Sequence, residues 1–417
     1  MASAKSTILR REGGRAVLHT WPSVCDCKGL SRKGNVHDRG KPQMSEAYFL
    51  YHSIGMYPGK AEGLSKAMAG FAEVWGRADD SQWGYALPLR QRFIDRWRQI
   101  LKAPDGTVTT CDSVTQGLHM VMDALPDRML RGRAVLVAAD CFPSNHFLLT
   151  GMARRLGFEL RTVALRQGAA AVEEEDFLSQ WTSDVAVALI TWVSSTTSAR
   201  VDLARLADHG RRMGSLIGVD ITQAAGLLPF DVAAPQVDFA LSTSLKWMCG
   251  TPGAGALYVT PSLTADCQPS LRGWFSQPDP FNWDIARFSY AGDIRRFDSG
   301  TPSCMAALAS LPAMDWHAGQ DGAAFLAHNR RLTNRIFAVA DNLGLKPLTP
   351  REEDRRGGSV MLDLPQARPA PEVVARLRAC GVTSDCRGQT LRLSPGSVTT
   401  DTGCDLLGEA LAEVLRT

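Results

Sequence analysis

A single amine, Lys246, interrupts the stretch LSTSLKWMCGTPGAGALYV (residues 241–259), which is otherwise apolar, small or hydroxylic. A lysine in such surroundings loses hydration and its pKa falls. The neutral amine then becomes a nucleophile toward carbonyl carbon and a carrier of protons. Three other stretches carry groups that suit such an amine. CDSVTQGLHMVM places Asp112, Ser113 and Thr115 where a helix starts, and the free N–H groups of a helix N-terminus favour an anion such as phosphate. DCFPSNHF offers the ring of Phe142, with Asn145 three residues on, and VDITQ offers the carboxylate of Asp220 and the amide of Gln223. Thr243 and Ser244 stand just before the lysine itself. Taken singly, each has a simpler reading: an N-cap, a core ring, a turn carboxylate, a lysine reaching out to solvent. In combination, a ring to stack on, a carboxylate for a ring nitrogen, a phosphate cradle and a lysine amine describe a site for pyridoxal 5′-phosphate.

These residues follow short apolar runs. RAVLVAAD (133–140), VAVALITWV (185–193), LIGVDITQ (216–223), VDFALSTS (237–244) and GALYVT (255–260) have the length of strands. Between them NHFLLTGMARRLG (145–157) and DLARLADHGRRMG (202–214) read as helices, the second ending at a glycine suited to a C-cap. The alternation predicts an α/β fold, a mainly parallel sheet with helices on both faces. Ligands of such sheets lie beyond the carboxyl ends of the strands, where the groups above fall. After about residue 305 the pattern changes to a long helical stretch (305–345), SVMLDLP, a helix near 371–380, TLRLSP and a terminal helix from about 401. The expected division is a basic, disordered extension (1–43), a large cofactor-binding domain with its N-terminal segment (44–305), and a long helix with a small C-terminal α+β domain (306–417).

The chain has 417 residues, 45% hydrophobic and 21% charged, enough for a large core. No apolar run approaches the roughly 20 residues of a membrane span, so no membrane partner is expected. The net charge of +3 is concentrated at one end: residues 1–43 hold nine Lys/Arg against three Asp/Glu, which leaves the remainder slightly acidic. That balance weighs against nucleic acid as a partner. The extension lacks a periodic apolar pattern and reads as poorly ordered, with a transit peptide and a natural start at Met44 as alternatives. Cys25, Cys27 and His37 lack the spacing of a closed zinc site, and no metal is expected. The 10 cysteines, scattered through apparently buried elements, read as reduced thiols of a cytoplasmic protein.

YHSIGMYP, CDSVTQGLHMVMDAL, CFPSNHF, DITQAAGLLPFDV, RGWFSQPDPFNW, IRRFDSGTPS and LRLSPGSVTT follow one another over roughly residues 47–417. In order and spacing they resemble the fold-type I pyridoxal phosphate enzymes of the class V aminotransferase group, and within it kynureninase most. The resemblance implies a seven-stranded-type, mainly parallel sheet covered by helices on both faces, plus a small C-terminal α+β domain. By the same resemblance Lys246 would hold the cofactor and later carry the proton at the substrate Cα, and Asp220 would pair with the pyridine nitrogen. Gln223 would hydrogen-bond the ring oxygen, where kynureninases usually carry histidine and cysteine desulfurases often carry glutamine. Phe142 would stack on the ring with Asn145 beside it. Ser113, Thr115 and Ser244 would contact the phosphate; Val114 belongs to the same loop but stands where the group tends to have a hydroxyl. Thr301, in the loop Gly300–Ser303, and Trp274 would reach the cofactor of a partner subunit, which implies a homodimer with shared sites. Arg392 would grip the α-carboxylate of an amino acid bound as its external aldimine, and His52 in YHSIG would stand by the substrate.

Two departures bear on the reaction. Kynureninases usually carry tyrosine directly before the lysine, where this chain has Leu245, and many relatives carry histidine soon after GW, where this chain has Ser276 and Gln277. General acid–base groups commonly contribute 10²- to 10⁴-fold each. Two reactions therefore stay open: kynureninase-like cleavage or substitution of the side chain (Cβ–Cγ or β-substituent), including that of a non-standard amino acid in specialised metabolism, and class V amino transfer or the related decarboxylation or epimerisation. Cysteine desulfuration requires a mobile cysteine, for which Cys386 has the position but no supporting motif. A cofactor-binding protein without turnover is the remaining reading. Trp83, Tyr85, Trp247, Trp274, Phe275 and Trp283 are expected near the pocket mouth, in favour of an aromatic or large apolar substrate side chain.

Overall fold

The computed structural model describes residues 10–12, 15–17 and 46–416. Its contacts fall into two units, Met1–Met44 and Ser45–Thr417. The first holds an antiparallel pair, β1 (Arg10–Glu12) and β2 (Arg15–Val17), which the lack of periodicity gave no reason to expect. The other expectations for 1–43, including the Cys25, Cys27 and His37 cluster, lie outside the described residues, as does Met44.

In the second unit seven strands form one sheet: β3 (Val108–Cys111), β4 (Ala134–Ala138), β5 (Glu159–Val163), β6 (Val185–Thr191), β7 (Leu216–Asp220), β8 (Phe239–Thr243) and β9 (Gly255–Val259). Their order is β3-β9-β8-β7-β6-β4-β5, with β9 antiparallel to both its neighbours and the other pairings parallel. Period-2 alternation divides β4 between two cores: Ala134, Leu136 and Ala138 pack on one face, Val135 and Val137 on the other. Burial on both faces explains why the central strands read as unbroken apolar runs. The two strands without such a run, β3 (VTTC) and β5 (ELRTV), are the edges, where one flank is free and polar residues cost little. The helix predicted at 202–214 spans Leu203–Met213; Asp202 caps it by accepting from the Arg205 N–H, and Gly214 ends it at φ 71.

The long helix predicted over 305–345 is two helices, Met305–Ala318 and Gly322–Asn342. Gly319 ends the first, and Asp321 caps the second by accepting from the N–H groups of Ala323 and Ala324. Beyond them β10 (Lys346–Pro347), β11 (Val360–Asp363), β12 (Asp385–Arg387) and β13 (Thr390–Leu393) make an antiparallel sheet in the order β10-β11-β13-β12. Its core takes in Ala47 and Phe49, because the segment entering the fold runs beside this sheet: the Phe49 N–H donates to Thr383 O at 2.8 Å, and the Ser394 N–H to Phe49 O at 2.9 Å. A few residues on, the segment crosses the lysine loop. The Gly55 N–H donates to Leu245 O at 2.9 Å, and a Cβ on Gly55 would stand 1.8 Å from the Lys246 carbonyl oxygen. Only glycine permits that approach.

Candidate active site

The carboxyl ends of β6, β7 and β8, together with the N-terminus of the helix Val114–Ala124, enclose a cavity of about 350 Å³. Lys246 follows β8 by three residues, and its Nζ lies 5.5 Å above the centre of the Phe142 ring. Burial pushes its pKa from 10.5 down to about 8, against the pull of Asp220 and with help from Arg392 and Arg387. At pH 8 about half of such amines are neutral, against roughly 0.3% at the ordinary value, which is the state a nucleophile needs. Asp220 closes β7 and is buried; its carboxylate accepts from Asn145 Nδ2 and from the Thr222 N–H, both at 3.0 Å. Phe142 caps the helix Pro143–Leu156, and although its ring faces the cavity it remains 37% exposed.

At the other wall Ser113 is the N-cap of the helix Val114–Ala124, its hydroxyl accepting from the Gln116 N–H at 3.2 Å. The N–H groups of Val114 and Thr115 are thereby left among the first-turn donors with no acceptor inside the helix. Val114 lines the cavity with an apolar side chain, so a contact from it to an anion rests on its N–H. Thr191 Oγ1 and Thr222 Oγ1, also on the walls, are buried without a hydrogen-bond partner. Such atoms cost about 1–3 kcal/mol each unless a bound group satisfies them. Unsatisfied hydroxyls, free helix donors, an exposed ring and a softened amine fit pyridoxal phosphate.

Of the residues singled out in the sequence, the cavity brings together Ser113, Val114, Thr115, Phe142, Asp220, Gln223 and Lys246. Gln223 Nε2 already donates to His52 O at 3.1 Å, tying the wall to the entering segment. Three of the candidates lie off the cavity walls. Ser244 does not face the cavity: its hydroxyl is buried, donates to Ala254 O at 2.5 Å and accepts from Trp97 Nε1 at 3.3 Å, bracing the lysine loop. Asn145 does not line the cavity; its Nδ2 donates to the Asp220 carboxylate, and its Oδ1 is buried without a partner. His52 is buried away from the cavity, with Nδ1 against Ser394 Oγ at 2.6 Å and Nε2 against Asp385 Oδ1 at 2.9 Å. Burial lowers its pKa to about 4 although Asp385 opposes the shift.

Arg392 lies in β13 directly across from Asp385 in β12. Its Nε and a terminal nitrogen donate to the two Asp385 oxygens at 2.8 and 2.5 Å. Burial works against the charge on Asp385, but His52 and Arg392 outweigh it and hold the carboxyl below its usual range. Arg387, two residues along β12 on the same face as Asp385, donates to Ser195 Oγ at 3.1 Å and stands 5.8 Å from the Phe142 ring. Cys386 falls on the opposite face, packed against the C-terminal core, with its pKa raised chiefly by burial. Strand alternation thus turns the one desulfurase candidate away from the cavity. Asp385, Arg387, Ser195 and the two threonines escaped the sequence reading. Ser195 stands just beyond an apolar run, the place already marked for ligand contacts, and VSSTT could have drawn attention there.

The cross-subunit candidates lie apart from this cavity. Thr301 lines an adjacent one of about 250 Å³, and Trp274 belongs to an aromatic cluster, its ring 5.6 Å from that of Trp283. Two further aromatic expectations are corrected: Trp247 is fully buried beside Tyr51, and Trp83 packs edge-on against Trp75, neither lining the cavity. Ser276 is buried as well, accepting from the Gly273 N–H at 2.9 Å, so it holds a turn together. Among the described residues no group of three or more His, Cys, Asp or Glu could hold a metal ion.

The fold is similar to that of a cysteine desulfurase from Thermococcus onnurineus (TM-score 0.78, 16% identity, covering 88% of this chain and 94% of that one). A cysteine desulfurase from Escherichia coli gives 0.75 and 21%, covering 89% and 94%. These likenesses define the architecture as that of the fold-type I pyridoxal phosphate enzymes. The family model for aminotransferase class-V matches residues 94–381, and the chain belongs to that family. Its curated relatives include a kynureninase of Deinococcus radiodurans, 28% identical over 356 residues, and one of Pseudomonas fluorescens, 26% identical over 353, each match covering 82% of both chains.

Proposed function

We propose that the protein is a pyridoxal phosphate-dependent enzyme that acts on the side chain of an α-amino acid, in the manner of a kynureninase. The observation that carries the reading is the softened amine of Lys246 over the Phe142 ring, with Asp220 held by two donors in the same cavity. Pyridoxal phosphate bound there supplies an electron sink for negative charge developing at the substrate Cα. Asp220 would hold the proton on the pyridine nitrogen, and Asn145 and the Thr222 N–H keep its oxygens aimed. Ser113, Thr115 and the first-turn N–H groups would bind the phosphate, and Phe142 would cover one ring face. Lys246 would take and return the proton at Cα. The titratable groups lining the cavity are Asp112, Asp220 and Lys246, so transfers beyond Cα would fall on the lysine and on water.

Leu245 favours keeping amino transfer as a second reading, because it lines the cavity with no proton to give. Mixing the cofactor-loaded protein with L-kynurenine, 3-hydroxykynurenine and a panel of amino acids separates the two. Side-chain cleavage yields alanine and an aromatic acid such as anthranilate; amino transfer yields a keto acid and an aminated cofactor. Absence of both from every mixture would contradict turnover on these substrates.

The working unit in this proposal is a cytoplasmic homodimer, with residues 44–305 as the cofactor-binding domain and 306–417 as the smaller one. Exposed Phe281 and Trp283 pack around Trp274, a patch that a second copy would cover. Thr301 and Trp274 would then face the partner's cofactor. Among the described residues no helix is long and apolar enough to cross a membrane.

A further inference from the structure

A buried ion pair outside the cavity around Lys246 joins segments that the cofactor reading uses separately. Arg90, on the helix Ser81–Leu101, donates through a terminal nitrogen to Asp298 Oδ1 at 2.8 Å, and the two side chains are only 10% and 9% exposed. The same nitrogen donates to Thr109 Oγ1 at 3.1 Å and to Thr110 Oγ1 at 2.9 Å, and Thr109 Oγ1 donates in turn to Asp298 Oδ1 at 2.8 Å. Both threonines belong to β3, an edge strand paired only with β9, and the Ser113 cap stands two residues beyond its end. On its other side Asp298 leads into the loop that carries Thr301. Its carbonyl oxygen accepts from Ser276 Oγ, and that of Ser299 from the Phe275 N–H at 3.2 Å, so the turn bearing Trp274 is fastened at the same point. Arg90, Asp298 and Thr301 line the adjacent cavity of about 250 Å³, and Asp112 lines that cavity and the one around Lys246 alike.

Resting on the cofactor reading above, we infer that Arg90 and Asp298 are positioning residues for the cofactor phosphate. Neither lines the cavity around Lys246. They act through β3 on the chain's own first-turn donors, and through the Asp298–Ser299 backbone on the Gly300–Ser303 loop and Trp274, which in the proposed dimer serve the partner's cofactor. A strand at the edge of a sheet has one ladder to hold it, and the threonine hydroxyls on a buried guanidinium–carboxylate pair give β3 its second anchorage. Asp220, Lys246 and Phe142 are delivered by β7, β8 and the helix after β4, none of which shares a hydrogen bond with the pair. Its influence is therefore confined to the phosphate end. Removing the charge of one partner leaves the other buried and unmatched, which forces the junction to rearrange.

The test follows visible absorbance as the full-length protein, freed of cofactor, is titrated with pyridoxal 5′-phosphate and with 5′-deoxypyridoxal, two aldehydes that differ in the phosphate ester alone. Both reach Lys246, Asp220 and Phe142, but only the first engages the phosphate contacts. Asp298→Asn, of the same shape and uncharged, is expected to raise the Kd for pyridoxal 5′-phosphate at least about 10-fold while changing that for 5′-deoxypyridoxal less than about 3-fold. Thr109→Val, which leaves the ion pair whole, is expected to give a loss of the same kind of about 3-fold, and it carries the test should Asp298→Asn fail to fold. An unchanged Kd for pyridoxal 5′-phosphate in these variants, or equal weakening of both aldehydes, overturns the inference alone. An unaltered protein that gains no visible band with either aldehyde overturns the cofactor reading and this inference with it.

Discussion

At the lysine end, Asp220 and Lys246 hang from the carboxyl edge of one parallel sheet and Phe142 from the helix that follows β4, whereas at the arginine end His52, Asp385, Arg387 and Arg392 come from the entering segment and two strands of a second sheet. The first arrangement is dictated by topology: each strand delivers its next few residues to the same rim, whatever the distant chain is doing. The second depends on a register, Asp385 opposite Arg392, and on a buried histidine reaching across from residue 52. Chemistry at the lysine end is therefore local in sequence, and charge at the arginine end is settled only by tertiary pairing.

The largest effect tests the lysine end. Lys246→Ala should remove the visible absorbance of the loaded protein and lower turnover by at least about 10⁴-fold, with far-ultraviolet circular dichroism unchanged. Turnover within 10-fold of normal would separate the lysine from the chemistry and dissolve the comparison. A smaller effect probes the joint between the two ends. Gly55→Ala forces a Cβ onto the Lys246 carbonyl, and urea unfolding should show a loss of about 1–3 kcal/mol. Unchanged stability would mean that the entering segment is free to shift and that the two ends are not held in one frame.

A pH-dependent effect belongs to the arginine end. His52 takes up a proton near pH 6.5 when unfolded but only near 4 when folded. Between those values the unfolded chain binds more protons, so the stability contributed by the neutral ring is complete above pH 6.5 and is lost as the pH falls toward 4. In His52→Gln the slope of unfolding free energy against pH across that window should flatten; an unaltered slope would place the histidine's neutral brace elsewhere.

The same contrast explains what was legible in the sequence. Lys246, Asp220, Phe142 and the Ser113 cap could be picked out because apolar runs mark strands and the rim residues follow directly. The edge strands β3 and β5 escaped because an edge need not be apolar throughout. Ser244 misled for a related reason: a hydroxyl two residues before the lysine looks like a ligand, and only the fold shows Ala254 and Trp97 claiming it. Arg392 was legible as a cation, but its pairing with Asp385 depends on the turn at Gly388 and Gln389 that sets β12 against β13.

The most direct test of the central claim is borohydride reduction of the cofactor-loaded protein, followed by proteolysis and mass mapping of the peptides. The expected result is a single pyridoxyl adduct on the peptide containing Lys246, absent in Lys246→Ala. An adduct on another lysine, or none, would contradict the assignment of this cavity as the cofactor site.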